Sequence, residues 1–441
     1  MRLPIPSPAF SAACELAGRA LPALLFLALV VGQLLAHPPA AQDDLLRNVV
    51  AYAWSYDYTA MYPMAPGVPR FDPYLGFDWL WGQVAQATSP LIAMHSAQVA
   101  GALAFLAALV APLAGSRERV FRTTLVVALT LATLVTSRLV SGRPEVLATA
   151  WLLSAAALRP RTWLVLGVLV SPAYWLMPVY ALGGFLLQAS WRARLASVVA
   201  GMGLAGAFWL AYAGWEWLGA LRGLGGMEAA RAVAAVEAGP LTGLLTYPGT
   251  WLLLGLLAVT VGWHRGSLRE SKWLVVLAAF MAIGSVRHIL VLAPVAALFI
   301  VRQPWPAARL GHWCSLAGLA LVAGTLSMQQ LPSSTEPKFE LPSGSVVLTG
   351  YNRNLFLLPF HNPGRVALVP SIESAWDAPE AVQLALATGA GELTCNMLQG
   401  RPFGWVISQR PPQGECFTRA QEREGWTLWQ VAPPTSAAPG G

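Results

Sequence analysis

The sequence predicts a mainly α-helical protein, a polytopic transmembrane bundle of about eleven spans followed by a small C-terminal α/β domain on the extracytoplasmic side. Three observations predict it. The 441 residues are 56% hydrophobic and only 11% charged, where soluble domains carry roughly 25% charged residues. Apolar runs that match or approach a hydrocarbon core of about 30 Å recur along most of the chain. Lys and Arg gather in short clusters between those runs, and polar composition returns in strength only near the end.

The first run, Leu21–Ala36, follows Arg2 and Arg19. A secretory signal peptide is its rival reading, because Ala40-Ala41 resembles a cleavage site. Further runs are Pro90–Gly115, Thr123–Val140 and Val146–Leu158. Thr162–Gln188 is interrupted by Ser171-Pro172 and by Pro178, and has Arg159 and Arg161 before it and Arg192 and Arg194 after it. Basic residues at both ends imply a return, so it reads as a hairpin of two short helices whose broken backbone is shielded by protein or a water cavity. The remaining spans are Ala196–Leu218, Leu241–Trp263, Trp273–Gly284, Ile289–Val301 and Leu310–Met328.

With the N-terminus inside, Arg117/Arg119/Arg122, Arg159/Arg161, Arg192/Arg194, His264–Lys272 and Arg302/Arg309 all fall in the cytoplasm, as the positive-inside rule expects. The membrane module then covers 1–328, including an outer loop at 37–89, and 329–441 is a soluble domain outside the cell membrane. In that domain strand-like runs stand at Ser345–Thr349, Arg365–Val369, Trp405–Ser408 and Trp426–Val431. Ala378–Thr388 reads as a helix after Asp377, with Pro379 in its first turn.

Composition excludes several functions. The net charge of +7 is dispersed as topology signals rather than gathered in one patch, so nucleic acid is not an expected partner. Four cysteines and six histidines show no C-x-x-C pair and no zinc-ligand spacing. Cys395 and Cys416 share the polar C-terminal region and are able to pair if it faces an oxidising compartment.

The outer loops hold the chemistry. Asp43 and Asp44 stand a few residues after the first span, ahead of Leu45–Trp54, which suits a helix lying in the membrane interface. The bland reading is that one of them caps that helix. Downstream, Tyr56-Asp57-Tyr58, Phe71-Asp72-Pro73-Tyr74 and Gly76-Phe77-Asp78-Trp79-Leu80-Trp81 interleave carboxylates with rings that are able to grip a sugar. An aromatic belt anchoring the chain uses the same residues without a ligand. A second cluster, Arg138, Arg143, Pro144 and Glu145, stands at the next outer link, and Arg287-His288 at a later one. Ionisable residues at such depth are costly and often functional. Arg143 suits bidentate phosphate binding and Glu145 an acid, base or metal-ligand role, whereas the bland reading is an Arg that snorkels.

An outer loop opening on Asp43-Asp44, an interfacial helix, a short link bearing Gly142-Arg143-Pro144-Glu145 and a C-terminal outer domain together resemble the GT-C superfamily of polyprenyl-phosphate-sugar-dependent glycosyltransferases. The resemblance implies a membrane enzyme of the cell envelope, in the inner or plasma membrane. It implies a lipid-linked sugar as donor and a glycan, lipid or protein as acceptor. Asp43, Asp44 and Glu145 occupy the places of the superfamily's catalytic carboxylates, and the bottom-up reading gives Arg138, Arg143, Arg287 and His288 to the donor phosphate. Mg²⁺ or Mn²⁺ is the cofactor that acidic pairs would take, with Asp43, Asp44 or Glu145 as ligands. A lipid-linked-sugar transporter or flippase is the competing class, and the broken segment around Pro172 is the feature that favours it.

Overall fold

The computed structural model describes residues 74–114, 119–133, 135–140, 142–178, 180–181, 191–223, 248–263, 289–303, 337–350, 358, 362, 366–369 and 379–432. The spans expected at 21–36, 273–284 and 310–328, the interfacial helix at 45–54 and the domain boundary at 328/329 lie outside these residues. The described helices are α1 (Leu75–Ala87), α2 (Pro90–Val110), α3 (Arg119–Leu131), α4 (Val135–Val140), α5 (Pro144–Ser154), α6 (Pro160–Val170), α7 (Trp191–Gly223), α8 (Pro248–Trp263), α9 (Ile289–Arg302), α10 (Pro379–Ala390) and α11 (Cys395–Leu398). The chain divides into two compact units, the first holding the described residues of 97–206 and 236–332, the second those of 38–96, 207–235 and 333–441.

In the first unit α9 is apolar on every face, and Leu290 to Val301 are all buried. A helix with no polar stripe belongs at a centre rather than at a surface. Leu125 to Leu129 of α3 are buried in the same cluster, joined by Phe105 and Leu109 of α2, Val146 and Leu153 of α5, and Leu253 of α8. Arg122 Nη1 donates to the carbonyls of Val301 at 3.1 Å and Arg302 at 3.4 Å. It thereby satisfies carbonyls that the last turn of α9 leaves open, with the charge sign the helix dipole favours there. These two helix ends are ones the basic flanks assign to the same membrane face.

Side chains on the periphery of this unit are apolar and exposed: Leu103 on α2, Val165, Val168 and Leu169 on α6, and Leu195, Val199 and Leu204 on α7. Among the described residues, Leu91–Leu113 is the one helical stretch both long and apolar enough to cross a bilayer. Arg122–Leu131, Pro248–Gly262 and Leu290–Arg302 are apolar but shorter.

Several boundaries depart from expectation. The single span expected over 123–140 is two helices, α3 and α4. Thr133 makes the break, its hydroxyl donating to Thr130 O at 2.7 Å and accepting from Val135 N at 3.4 Å. That is the competition between Thr side chain and backbone ladder that ends helices. At the expected hairpin, α6 stops at Val170 and runs into a 3₁₀ turn, Ser171–Ala173. The turn agrees with the break expected at Ser171-Pro172, while most of the second arm lies outside the described residues.

Within α5 and α6, Trp151 and Trp163 stack with ring centroids 4.3 Å apart and planes 4° from parallel. Gly167, one turn beyond Trp163, leaves room for them, since a Cβ there would lie 2.5 Å from Trp151.

In the second unit, the C-terminal sheet has strands β1 (Val346–Thr349), β2 (Ala367–Val369), β3 (Trp405–Ser408), β4 (Phe417–Arg423) and β5 (Trp426–Val431) in the order β2-β1-β3-β5-β4. β1 pairs parallel with β2 and β3, and β5 pairs antiparallel with β3 and β4. One face packs Leu348, Val369 and Val406 against Ala381 and Leu384 of α10. The other buries Val347, Ile407 and Leu428 with Phe339, Leu358 and Trp426. This is the small α/β domain the sequence predicts, with β4 as an addition. Cys395 and Cys416 are joined by a disulfide that ties α11 to the start of β4. Gly414 at φ +117° leaves space for the sulfur, because a Cβ there would lie 2.5 Å from Cys395 Sγ.

Candidate functional site

The buried charges of the first unit cluster at the turn from α4 to α5, and the local sequence explains the turn. Gly142 takes φ +62° and donates its N–H to Leu139 O at 3.2 Å, closing α4 in a left-handed conformation that glycine adopts without a Cβ penalty. Arg143 is extended at φ −73° and ψ 151°, the N-cap position of α5, and Pro144 takes the first helical position. Proline suits that place because its missing N–H has no intrahelical partner there anyway. Glu145 follows in the first turn, where the helix dipole favours a carboxylate. Its backbone carbonyl accepts from Thr149 Oγ1 at 2.8 Å.

Arg143 Nη1 lies 3.8 Å from Glu145 Oε1, and both side chains are almost wholly buried, 3% and 6% exposed. The second oxygen, Glu145 Oε2, is also buried and has no hydrogen-bond partner among the described residues. Arg138, at 7% exposure, is buried in the last turn of α4. The turn therefore carries two buried guanidinium groups and one carboxylate within eight residues of sequence, inside a helical unit whose core is apolar. Charges desolvated to this degree persist only when paired or when they serve a ligand. Chemically, the arrangement offers a carboxylate oxygen beside a guanidinium, groups able to exchange a proton and to hold an anion.

Of the other residues expected to form the site, Asp43, Asp44, Tyr56, Asp57, Tyr58, Arg287 and His288 lie outside the described residues. Asp78 and Trp79 belong to the second unit, and their segment is not a loop. It lies in α1, where Asp78 is 4% exposed and Trp79 is 52% exposed. Neighbouring helical positions diverge by about 100°, and here Asp78 turns inward while Trp79 turns outward. Phe77, Gly82 and Ala85 share the buried face with Asp78.

The backbone devices at Gly142 and Thr149 were not among the expected functional residues. Their signal was a glycine just before Arg-Pro-Glu, and a threonine one turn after the glutamate. No group of three His, Cys, Asp or Glu residues able to hold a metal occurs among the described residues.

No protein-family model matches the chain, and no curated protein matches it. Solved structures do. A crystal structure of the Archaeoglobus fulgidus oligosaccharyltransferase, tethered with an acceptor peptide containing the NVT sequon via a disulfide bond, aligns at TM-score 0.50 and 11% identity, covering 91% of this chain and 70% of that one. The archaeal oligosaccharyltransferase AglB from the same organism, in complex with an inhibitory peptide and a dolichol-phosphate, aligns at TM-score 0.49 and 12% identity, covering 90% and 70%. The likeness is one of fold.

Proposed function

We propose that this protein is an integral membrane glycosyltransferase that moves a sugar from a polyprenyl-phosphate-linked donor to an extracytoplasmic acceptor. The observation that carries the reading is the buried Arg143–Glu145 pair, held at a helix start in an apolar unit with one carboxylate oxygen left over. Its fold likeness to an oligosaccharyltransferase supports the same reading. Glycan, lipid and protein remain the acceptor classes, and the acceptor peptide in the matched structure favours protein among them.

In this reading a carboxylate from Asp43, Asp44 or Glu145 takes the proton of the acceptor nucleophile as it attacks the anomeric carbon. The bond to the phosphate oxygen breaks, and Arg138, Arg143, Arg287 and His288 stabilise the leaving polyprenyl phosphate. A single displacement inverts the anomeric centre. The aromatic segment around Tyr56-Asp57-Tyr58 holds the sugar or acceptor. Carboxylates suit a hard divalent cation, and Mg²⁺ or Mn²⁺ held by Asp43, Asp44 or Glu145 would neutralise phosphate charge. The site opens on the outer face of the cell membrane, where the C-terminal domain also lies.

Release of polyprenyl phosphate from radiolabelled lipid-linked sugars by the purified protein tests this reading. Acceptor-dependent release is expected, abolished in an Asp43→Asn/Asp44→Asn variant and in Glu145→Gln, and lowered by a chelator. Movement of the intact donor across vesicles without release would replace it with transport.

A further inference from the structure

Within the first unit, the chain after α6 turns back on itself at the height of the buried ion pair. The stacked rings of Trp151 and Trp163 mark a common height on α5 and α6. Only Ala155–Arg159 link the two helices, and so short a link makes them antiparallel neighbours. From Trp163 forward to Ser171 is eight residues, and from Trp151 back to Arg143 is the same count. Each path climbs about 12 Å at 1.5 Å per residue. The 3₁₀ turn Ser171–Ala173 therefore stands level with Arg143 and Glu145, and it packs against α5.

Beyond the turn the chain comes down again. Tyr174 N donates to Ser171 O at 3.4 Å and Met177 N to Tyr174 O at 3.0 Å, which reverses the direction of α6. By Ala181, fully buried, the chain is back beside the tryptophan pair. A Cβ at Gly201 would lie 3.2 Å from Ala181 Cβ and 3.6 Å from both Trp151 and Trp163. Ser171 to Tyr174 is thus the apex of a re-entrant hairpin, and the apex is the part that reaches the charged turn.

The apex is not sealed like the helices around it. Pro172 and Ala173 are half-buried, whereas Tyr174 is 5% exposed. Backbone that leaves a helix ladder inside an apolar unit needs protein or water to meet its polar groups. The apex also brings two hydroxyls. Ser171 Oγ donates to Gly167 O at 2.6 Å and so closes α6, while a tyrosine hydroxyl both donates and accepts. We infer that the apex Ser171–Tyr174 lines the donor-phosphate subsite beside Arg143 and Glu145, with Tyr174 donating a hydrogen bond to a phosphate oxygen of the polyprenyl carrier. The identity of the ligand rests on the transfer reading, whereas the height of the apex does not.

The test uses the full chain in lipid nanodiscs, with Cys14 and Cys314 replaced by Ser. Ala173→Cys or, separately, Ala181→Cys is reacted with a charged methanethiosulfonate reagent that does not enter lipid. Labelling at position 173 and none at 181 is expected. Polyprenyl phosphate should slow labelling at 173, and inorganic phosphate at the same concentration should not. Tyr174→Phe should raise the polyprenyl phosphate concentration needed for that protection about tenfold. Tyr180→Phe keeps the edge-on ring pair with Tyr174 and should leave it unchanged. No labelling at 173 overturns the placement of the apex, and labelling at 181 as well overturns the return of the hairpin. Labelling that polyprenyl phosphate does not slow, or that inorganic phosphate slows equally, overturns the lipid carrier as ligand. Unchanged protection in Tyr174→Phe overturns the role of its hydroxyl. Protection by polyprenyl phosphate in a parent protein that releases none from lipid-linked sugars sustains the subsite and sinks the transfer reading instead.

Discussion

Trp151 and Trp163 each donate an indole N–H to the other's backbone carbonyl, Trp151 Nε1 to Trp163 O at 2.8 Å and Trp163 Nε1 to Trp151 O at 2.7 Å. Each bond takes up a donor that burial would otherwise orphan. Together with the parallel stack they fix α6 against α5 at the level of Gly167. Gly201 of α7 sits against the same pair, with a Cβ there 3.6 Å from both rings.

Gly167→Ala should therefore loosen this joint. The added methyl meets the indole at 2.5 Å, and a rigid ring is unable to yield as a flexible side chain would. A loss of about 1–3 kcal/mol is expected, read as a lower midpoint of thermal unfolding in detergent. Gly203→Ala, with nothing among the described residues within 4 Å of its Cβ position, is the matched control and should raise the midpoint slightly, because alanine favours a helix over glycine.

For the buried ion pair, one-sided removal is expected to be worse than removal of both partners. Arg143→Met strands Glu145 among apolar residues and should cost about 3–5 kcal/mol. Arg143→Met/Glu145→Gln should recover most of that stability while remaining inactive. A double-mutant cycle on unfolding midpoints, with turnover measured alongside, separates the pair's structural part from its chemical part.

Asn362 is 3% exposed and uses its whole amide: Oδ1 accepts from Leu341 N at 2.7 Å, and Nδ2 donates to Phe339 O at 2.9 Å and Leu358 O at 2.8 Å. Asn362→Asp turns the donor end into an acceptor facing two carbonyls, so it should destabilise the C-terminal domain by about 1–3 kcal/mol or more. Asn362→Asp is expected to become susceptible to limited proteolysis between 337 and 369 before the parent does.

Reduction should act on the opposite side of that domain. The Cys395–Cys416 bridge spans 21 residues of sequence, and closing a loop of this size stabilises by about 3 kcal/mol in the chain-entropy account. Cys395→Ser/Cys416→Ser is expected to lower the domain's unfolding midpoint. In the parent protein, thiol labelling at these two positions should need a reductant.

A pH effect is expected at Glu380. The hydrogen bond from Arg401, and then its charge, hold the Glu380 carboxyl below the usual carboxylate range. A depressed folded-state value means that stability from the pair is present above the unfolded value and disappears as pH falls through the folded one. Glu380 is solvent-exposed, so the effect is small. Glu380→Gln should lower the unfolding midpoint slightly at neutral pH and match the parent in acid.

How far these features were legible varies with their physics. Strands β3 and β5 have the bounds their apolar, β-branched and aromatic runs predict, and α10 begins one residue after its expected start, at Pro379. β4 escaped because Phe-Thr-Arg-Ala-Gln-Glu-Arg is a mostly exposed outer strand with no apolar alternation. Its signal was the turn behind it, since Glu424 at φ +53° and Gly425 at φ +80° link β4 to β5 in the positive-φ geometry that tight hairpins favour. α1 escaped for a different reason. Its carboxylate and rings looked like ligand-binding chemistry, while the small residues Gly82 and Ala85 on its buried face left little apolar stripe to read. At the site, the residue types and the link at 142–145 were legible, but the pairing of Arg143 with Glu145 depends on a side-chain geometry that spacing does not specify.

The bond from Arg122 to the end of α9 joins residues 179 positions apart. A nascent chain emerges in order, so α3 is made long before the carbonyls that receive its guanidinium exist. Until they do, that guanidinium lacks the acceptors it has in the folded protein, and the core of the first unit closes only when α9 packs beside α3. The protein is thus assembled around its late helix, and a chain cut short before Val301 lacks both the filling of its core and the latch that closes it.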